Sequence, residues 1–338
     1  MQRTFKYLII LLCFTSALQA QDLSEKANAF LTLLTPELHD AALFSLEDAE
    51  RFNMNYIPID RKGPTFHDFN EAQKQAALNL LKASISKQAF DKAMEIRDLE
   101  KVLKIIENND ATMSDGRPRR DPLNYHFCIF GKPSSTEDWG WRFEGHHISM
   151  SFTSSNGQLA SATPFFLGTN PGIVKIDEQR GKQVLRAESE LGLSLVNSLS
   201  PEQLKMAKFS DTAPADIITT NIRKVEGVEK KGIPFNKFDK AQKETFMALL
   251  EVYIGNYIFE FSETFRDKIN DAGLENLTFA WAGGMKEGTG TYYRIHGPML
   301  LIEFDNTQND ANHVHVVIRD LANDYAEDLL QKHYVEQH

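Results

Sequence analysis

The stretch 141-WRFEGHHISMSF-152 and its echo 293-YRIHGPMLLIEF-304 decide how the chain is to be read. Each opens on an aromatic residue and an arginine, passes a glycine, and closes on an apolar run ending in phenylalanine. Two further blocks recur in the same order. They are 35-TPELHDAALFS-45 with 200-SPEQLKMAKFS-210, and 69-FNEAQKQAALNLL-81 with 238-FDKAQKETFMALL-250. Three blocks in one order point to an internal duplication. The first copy is expected over 21–168 and the second over 186–338, with a polar linker at 169–185.

Each copy reads as helices followed by strands. Thr35-Pro36-Glu37 and Ser200-Pro201-Glu202 combine an N-cap, a first-turn proline and a first-turn carboxylate. From Phe246 to Phe265 apolar residues keep i, i+3, i+4 spacing, as one long helix would. The later segments alternate and are punctuated by 131-GKPSSTEDWG-140 and 283-GGMKEGTG-290, which read as hairpin loops. The expected fold class is therefore α+β, two helix-then-antiparallel-sheet units in a pseudo-two-fold arrangement.

Residues 1–20 carry Arg3 and Lys6 before an apolar run and then small residues, the pattern of a cleaved secretory signal. A secreted or periplasmic protein without stable membrane insertion is the expectation. Cys13 would leave with the signal, so Cys128 stands alone, and within 123-LNYHFCIF-130 it reads as a buried, inert thiol. With one thiol the mature chain depends on its core, which 42% hydrophobic residues can supply. The formal charge of −10 argues against nucleic acid and anionic membranes as partners. A small-molecule or peptide-like ligand, or a cation, fits better.

Read as one strand, 141–152 puts Arg142, Glu144 and His146 on one face and Trp141, Phe143 and His147 on the other, unless a bulge at Gly145 re-aims it. The second copy has Pro298 and Met299 where the first has His146 and His147, so the shared scaffold does not need those histidines. Its own pair stands in 299-MLLIEFDNTQNDANHVHVVIRD-320, where His313 and His315 project together from a strand with an apolar back. Centring that hairpin on Asn309 sets Asp305 opposite His313 and Glu303 opposite His315.

Two or three imidazoles and a carboxylate are a minimal set for a divalent transition metal, zinc foremost. The metal ligands so read are His146, His147, His313, His315 and Glu303, with His147 favoured over His146. Glu303 is either a ligand or the general base, and Arg142 or Arg294 orients an anionic group of the substrate. This is the pattern of a metal-dependent hydrolase. The competing reading is a non-catalytic ligand-binding protein with a pocket lined by Trp139, Trp141, Tyr292 and Tyr293. The loop 117-RPRR-120 and the carboxylates Asp320, Asp324 and Asp328 read as solvated, the latter along a final helix.

The segments 139-WGWRFEGHHISMSF-152, 163-TPFFLG-168 and 293-YRIHGPMLLIEFDNTQNDANHVHVVIRDLANDYAEDLLQKHY-334 resemble the bacterial and fungal family of domains of unknown function numbered 3500. The resemblance runs over nearly all of the mature chain. It implies an exported, soluble protein with a duplicated domain.

Overall fold

The computed structural model describes residues 23–327; the expected signal segment with Cys13, and Asp328, lie outside the described residues. Proline and capping chemistry set the helix starts. A helix over 23–33 (α1) leads to α2 (Pro36–Ala42), where the Thr35 hydroxyl accepts from Leu38 N–H. Asn70 and Gln73 close a reciprocal cap on α3 (Glu71–Ser84), and α4 (Lys87–Glu107) follows. Later, α5 (Arg186–Asn197) precedes α6 (Pro201–Ala207), capped by Ser200 and Gln203, and α7 (Lys240–Ile254), capped by Asp239 and Gln242.

The long helix expected through Phe265 is two. α7 stops at Gly255 and α8 (Phe259–Asp271) begins after it, because Asn256 and Tyr257 turn aside to meet the 85–86 segment. The Asn256 carbonyl accepts from Ser86 N–H, and Tyr257 bridges Ile85.

The strands are β1 (Leu43–Phe44), β2 (His126–Phe130), β3 (Trp139–Gly145), β4 (Ile148–Ser155), β5 (Gln158–Ser161), β6 (Phe165–Thr169), β7 (Lys208–Ser210), β8 (Ile233–Pro234), β9 (Thr278–Gly283), β10 (Thr291–His296), β11 (Leu300–Thr307) and β12 (His313–Asp320). They join in one sheet in the order β1-β2-β3-β4-β6-β12-β11-β10-β9-β7, with β5 beside β4 and β8 beside β9. The sheet is mixed. β1 and β7, which follow α2 and α6 directly, run parallel to β2 and β9, and the other pairings are antiparallel. The expected loops 131–140 and 283–290 do connect β2 to β3 and β9 to β10.

The helices cover one face of this sheet. There Trp141 stacks on its cross-strand partner Phe152 at 4.6 Å, and Tyr293 stacks on Phe304 at 4.8 Å. The opposite face is polar yet buried, carrying Arg142, Glu144, Ser149, Arg294, Glu303 and His315, and loops cover it. Burying charge demands partners, and the covering loops supply them. Among the described residues no helix is long and apolar enough to cross a membrane.

Candidate metal centre

The 141–152 stretch is a hairpin and not a single strand. Gly145 pairs with Ile148, which leaves His146 and His147 as a two-residue turn, so the alternating faces expected for 141–152 end at the turn. His147 sits at φ +65°, a left-handed conformation that costs an ordinary residue of order 1 kcal/mol. Three hydrogen bonds hold it: His147 N–H donates to Tyr56 O (2.9 Å), Gly168 N–H donates to His147 O (2.8 Å), and Tyr125 O–H donates to His146 O (2.9 Å). The turn brings both rings together, with centroids 3.7 Å apart.

His313 and His315 reach the same place from β12, with one residue between them and on one face. Their hairpin register differs from the expected one by two residues: Thr307 lies opposite His313 and Asp305 opposite His315, while Glu303 faces Val317. The turn absorbs the difference, with Asn309, Asp310 and Ala311 all at positive φ. Gly168 of β6 lies beneath the rings. A Cβ there would stand 2.8 Å from His147 Cδ2 and 2.9 Å from His315 Cδ2, so only glycine lets the two imidazoles approach.

Candidate ligand atoms of His147, His313 and His315 all lie within 4.8 Å of one another, and this buried group could hold a metal ion. His147 Nε2 and His313 Nε2 are 2.7 Å apart. Burial, then the neighbouring imidazoles, depress the pKa of His147 well below the ordinary value and that of His313 to about 3, so both are neutral and carry lone pairs. His315 Nδ1 is hydrogen-bonded to Asp216 Oδ1 at 2.7 Å, while its Nε2 is buried without a partner. A carboxylate behind an imidazole fixes the tautomer that offers Nε2 outward. Burial works against the Asp216 carboxylate, but the His315 bond and others outweigh it and lower its pKa.

A second group, Glu100, His146 and His147, adjoins the first. His146 Nδ1 lies 2.5 Å from Glu100 Oε1 and 3.0 Å from Arg120 Nη1. The partners of His146 are thus on α4 and the 117–120 loop, and not Arg142 and Glu144 as the strand phase implied. That basic loop is solvated at Arg119 but not at its other arginines: Arg117 pairs with Asp68 at 2.6 Å and Arg120 with Glu107 at 2.5 Å.

The other expected site residues are placed elsewhere and have a common task. Glu303 accepts from Ile218 N–H (2.6 Å), Thr219 N–H and O–H, and Tyr292 O–H (2.8 Å), which leaves its carboxylate saturated and anchors the loop that carries Asp216. Arg142 donates to Glu50 Oε1 (2.5 Å) and to the Glu50 and Asn53 carbonyls, fixing the loop that carries Tyr56. Arg294 donates to Glu229 O at 2.5 Å. These are loop clamps, separate from the histidine group. Trp139, Trp141 and Tyr293 lie in the core, whereas Tyr292 points to the other face of the sheet and bonds Glu303, so the four do not share one face. Tyr293 does border a pocket of about 310 Å³, with Trp281 and Phe304. Asp320 and Asp324 are not on a solvated helix: Asp320 ends β12, and Asp324 is bound to Arg319 at 2.5 Å. Cys128 is buried as expected, its pKa raised to about 12 chiefly by burial.

A mixed α+β protein with histidines gathered on the loop side of its sheet is the class these features define. The chain belongs to the protein family of unknown function DUF3500, whose profile matches residues 16–327. No curated protein and no solved structure matches it.

Proposed function

We propose that the protein is an exported, soluble metal-dependent hydrolase, in which His147, His313 and His315 bind one divalent ion, zinc by preference. The observation that carries this reading is His315: its Nδ1 is held by Asp216, and its Nε2 is buried, bare, and grouped with the other two imidazoles. Three imidazole ligands would leave a fourth position for water, and zinc so held would lower the pKa of that water to about 7. A small-molecule or peptide-like substrate would approach through the cavity of about 140 Å³ that reaches Glu100 and His146.

The ligands come from both halves, and we read the halves as copies of one unit. Aligning Trp141 with Tyr293 and Phe152 with Phe304 makes Met150 equivalent to Ile302. Their partners are Phe165 and Ile318, which themselves pair across β6 and β12. A pseudo-two-fold axis through that pair accounts for the strand order. The histidines then occupy one side of the axis only, where the second copy has Met299.

The test is a zinc titration of chelator-stripped protein against a chromophoric competitor, followed by assay of ester, peptide and phosphoester substrates. Zinc-dependent turnover that His315→Ala abolishes is expected. Tight zinc binding with no turnover on any of the three classes would favour a binding protein, and no zinc uptake would end the reading.

A further inference from the structure

Glu100 occupies a position that packing alone would give to leucine. The buried stripe of α4 runs Ala89, Ala93, Ile96, Glu100 and Leu103, and Glu100 is 2% exposed. A buried carboxylate is costly unless its oxygens are satisfied. Oε1 meets His146 Nδ1, but Oε2 has no hydrogen-bond partner, the nearest cation being Arg120 Nη1 at 4.0 Å. Arg120 is itself engaged by Glu107 through Nε at 2.8 Å and Nη2 at 2.5 Å. One oxygen thus stays buried and bare beside two imidazoles.

We propose that Glu100, His146 and His147 bind a second divalent cation next to the first, so that the centre is dinuclear with His147 common to both ions. This rests on the reading of the first site, because His147 belongs to both groups. A carboxylate and two imidazoles suit zinc or manganese. The cavity supplies a way in: Glu100 and His146 form part of its wall, together with Asp60, Asp115 and Asp121. Of the arginines in its wall, Arg61 is paired with Glu144 and Arg117 with Asp68 and Asp115, and Asp60, Asp115 and Asp121 set three carboxylates in the same wall against the remaining Arg119.

The shared histidine fixes the chemistry. An imidazole that serves two cations gives one ring nitrogen to each, so it must surrender its N–H proton to solvent and become imidazolate. Loading the second ion therefore releases one proton from His147, and the bridge couples the two sites: the second ion is retained better when the first is present.

The experiment uses the full mature chain, stripped with chelator, loaded with zinc alone and desalted before metal analysis. The expected results are two equivalents for the wild type, one for Glu100→Gln and none for His147→Ala. His146→Asn, which is smaller and keeps a polar turn residue, is the parallel variant should Glu100→Gln fail to fold, and it too should hold one. One equivalent in both the wild type and Glu100→Gln would overturn the second site while leaving the first, making Glu100 merely the group that orients His146. No zinc in the wild type would overturn the first reading and this one together.

Discussion

On the helix side of the sheet Phe127, Trp141 and Phe152 pack as parallel rings; on the loop side of the same strands Arg142, Glu144 and Ser149 lie equally buried. The first surface is stabilised by apolar area and close packing, which tolerate small shifts. The second is stabilised by specific partners, and each buried charge there fixes a loop: Arg142 and Glu144 the 50–61 segment, Glu303 the 216–219 segment. Apolar packing resides on one side and the proposed metal centre on the other. Substitutions should therefore separate them.

The largest effect falls on the loop side. His147→Ala should abolish zinc uptake while the far-ultraviolet dichroism stays native. Its backbone is held by main-chain groups, and alanine relieves little else. Loss of the fold in that variant would show that the ring is structural. Trp141→Ala should do the reverse. It removes a buried indole and costs about 3–5 kcal/mol of stability by chemical denaturation, while zinc stoichiometry at low temperature is unchanged. If zinc is lost along with that stability, the two faces are not independent.

Asp216→Asn tests the support behind the ligand. Loss of such a carboxylate typically weakens metal binding 10–100-fold, and a competition titration should find that with the melting temperature shifted by only a few degrees. An unchanged affinity would mean that Asp216 serves Tyr56 and the loop, and not His315.

The smallest effect is a pH dependence on the loop side, at His126. Burial, which outweighs the opposing effect of its bond to Gly63 O, lowers its pKa to about 4. The unfolded chain takes up the proton as pH falls through the ordinary value of 6.5, whereas the folded chain does so only near 4. Stability is thus full above 6.5 and is lost as pH falls through that window, by up to about 1.4 kcal/mol for each pH unit. Asp305, raised to about 7, and Asp324, raised to about 6, act in the opposite sense. The comparison must therefore be between wild type and His126→Asn, in stripped protein. The variant should lose less stability between pH 6.5 and 4.5, and identical profiles would contradict the assignment.

The two faces also differ in how far they could be read from sequence. Alternation and turn chemistry disclosed the hairpin loops and the common direction of His313 and His315, because these depend on neighbours along the chain. The histidine turn was missed because strand alternation continues on both sides of it; Gly145 was the only local sign. The β11–β12 register slipped by two residues because Asn309, Asp310 and Ala311 adopt left-handed conformations that composition does not specify. Asp216 left no signal at all, since its loop is irregular and is positioned by Glu303 from a distant strand. Glu100 did leave one: a carboxylate in the apolar stripe of a long helix, four residues after Ile96 and three before Leu103.

The most direct test of the centre is anomalous diffraction at the zinc edge from crystals of the loaded protein. A peak about 2.0–2.1 Å from one nitrogen each of His147, His313 and His315 is the predicted result. Crystals grown in zinc that show no peak there, or a peak bound only by surface carboxylates, would contradict it.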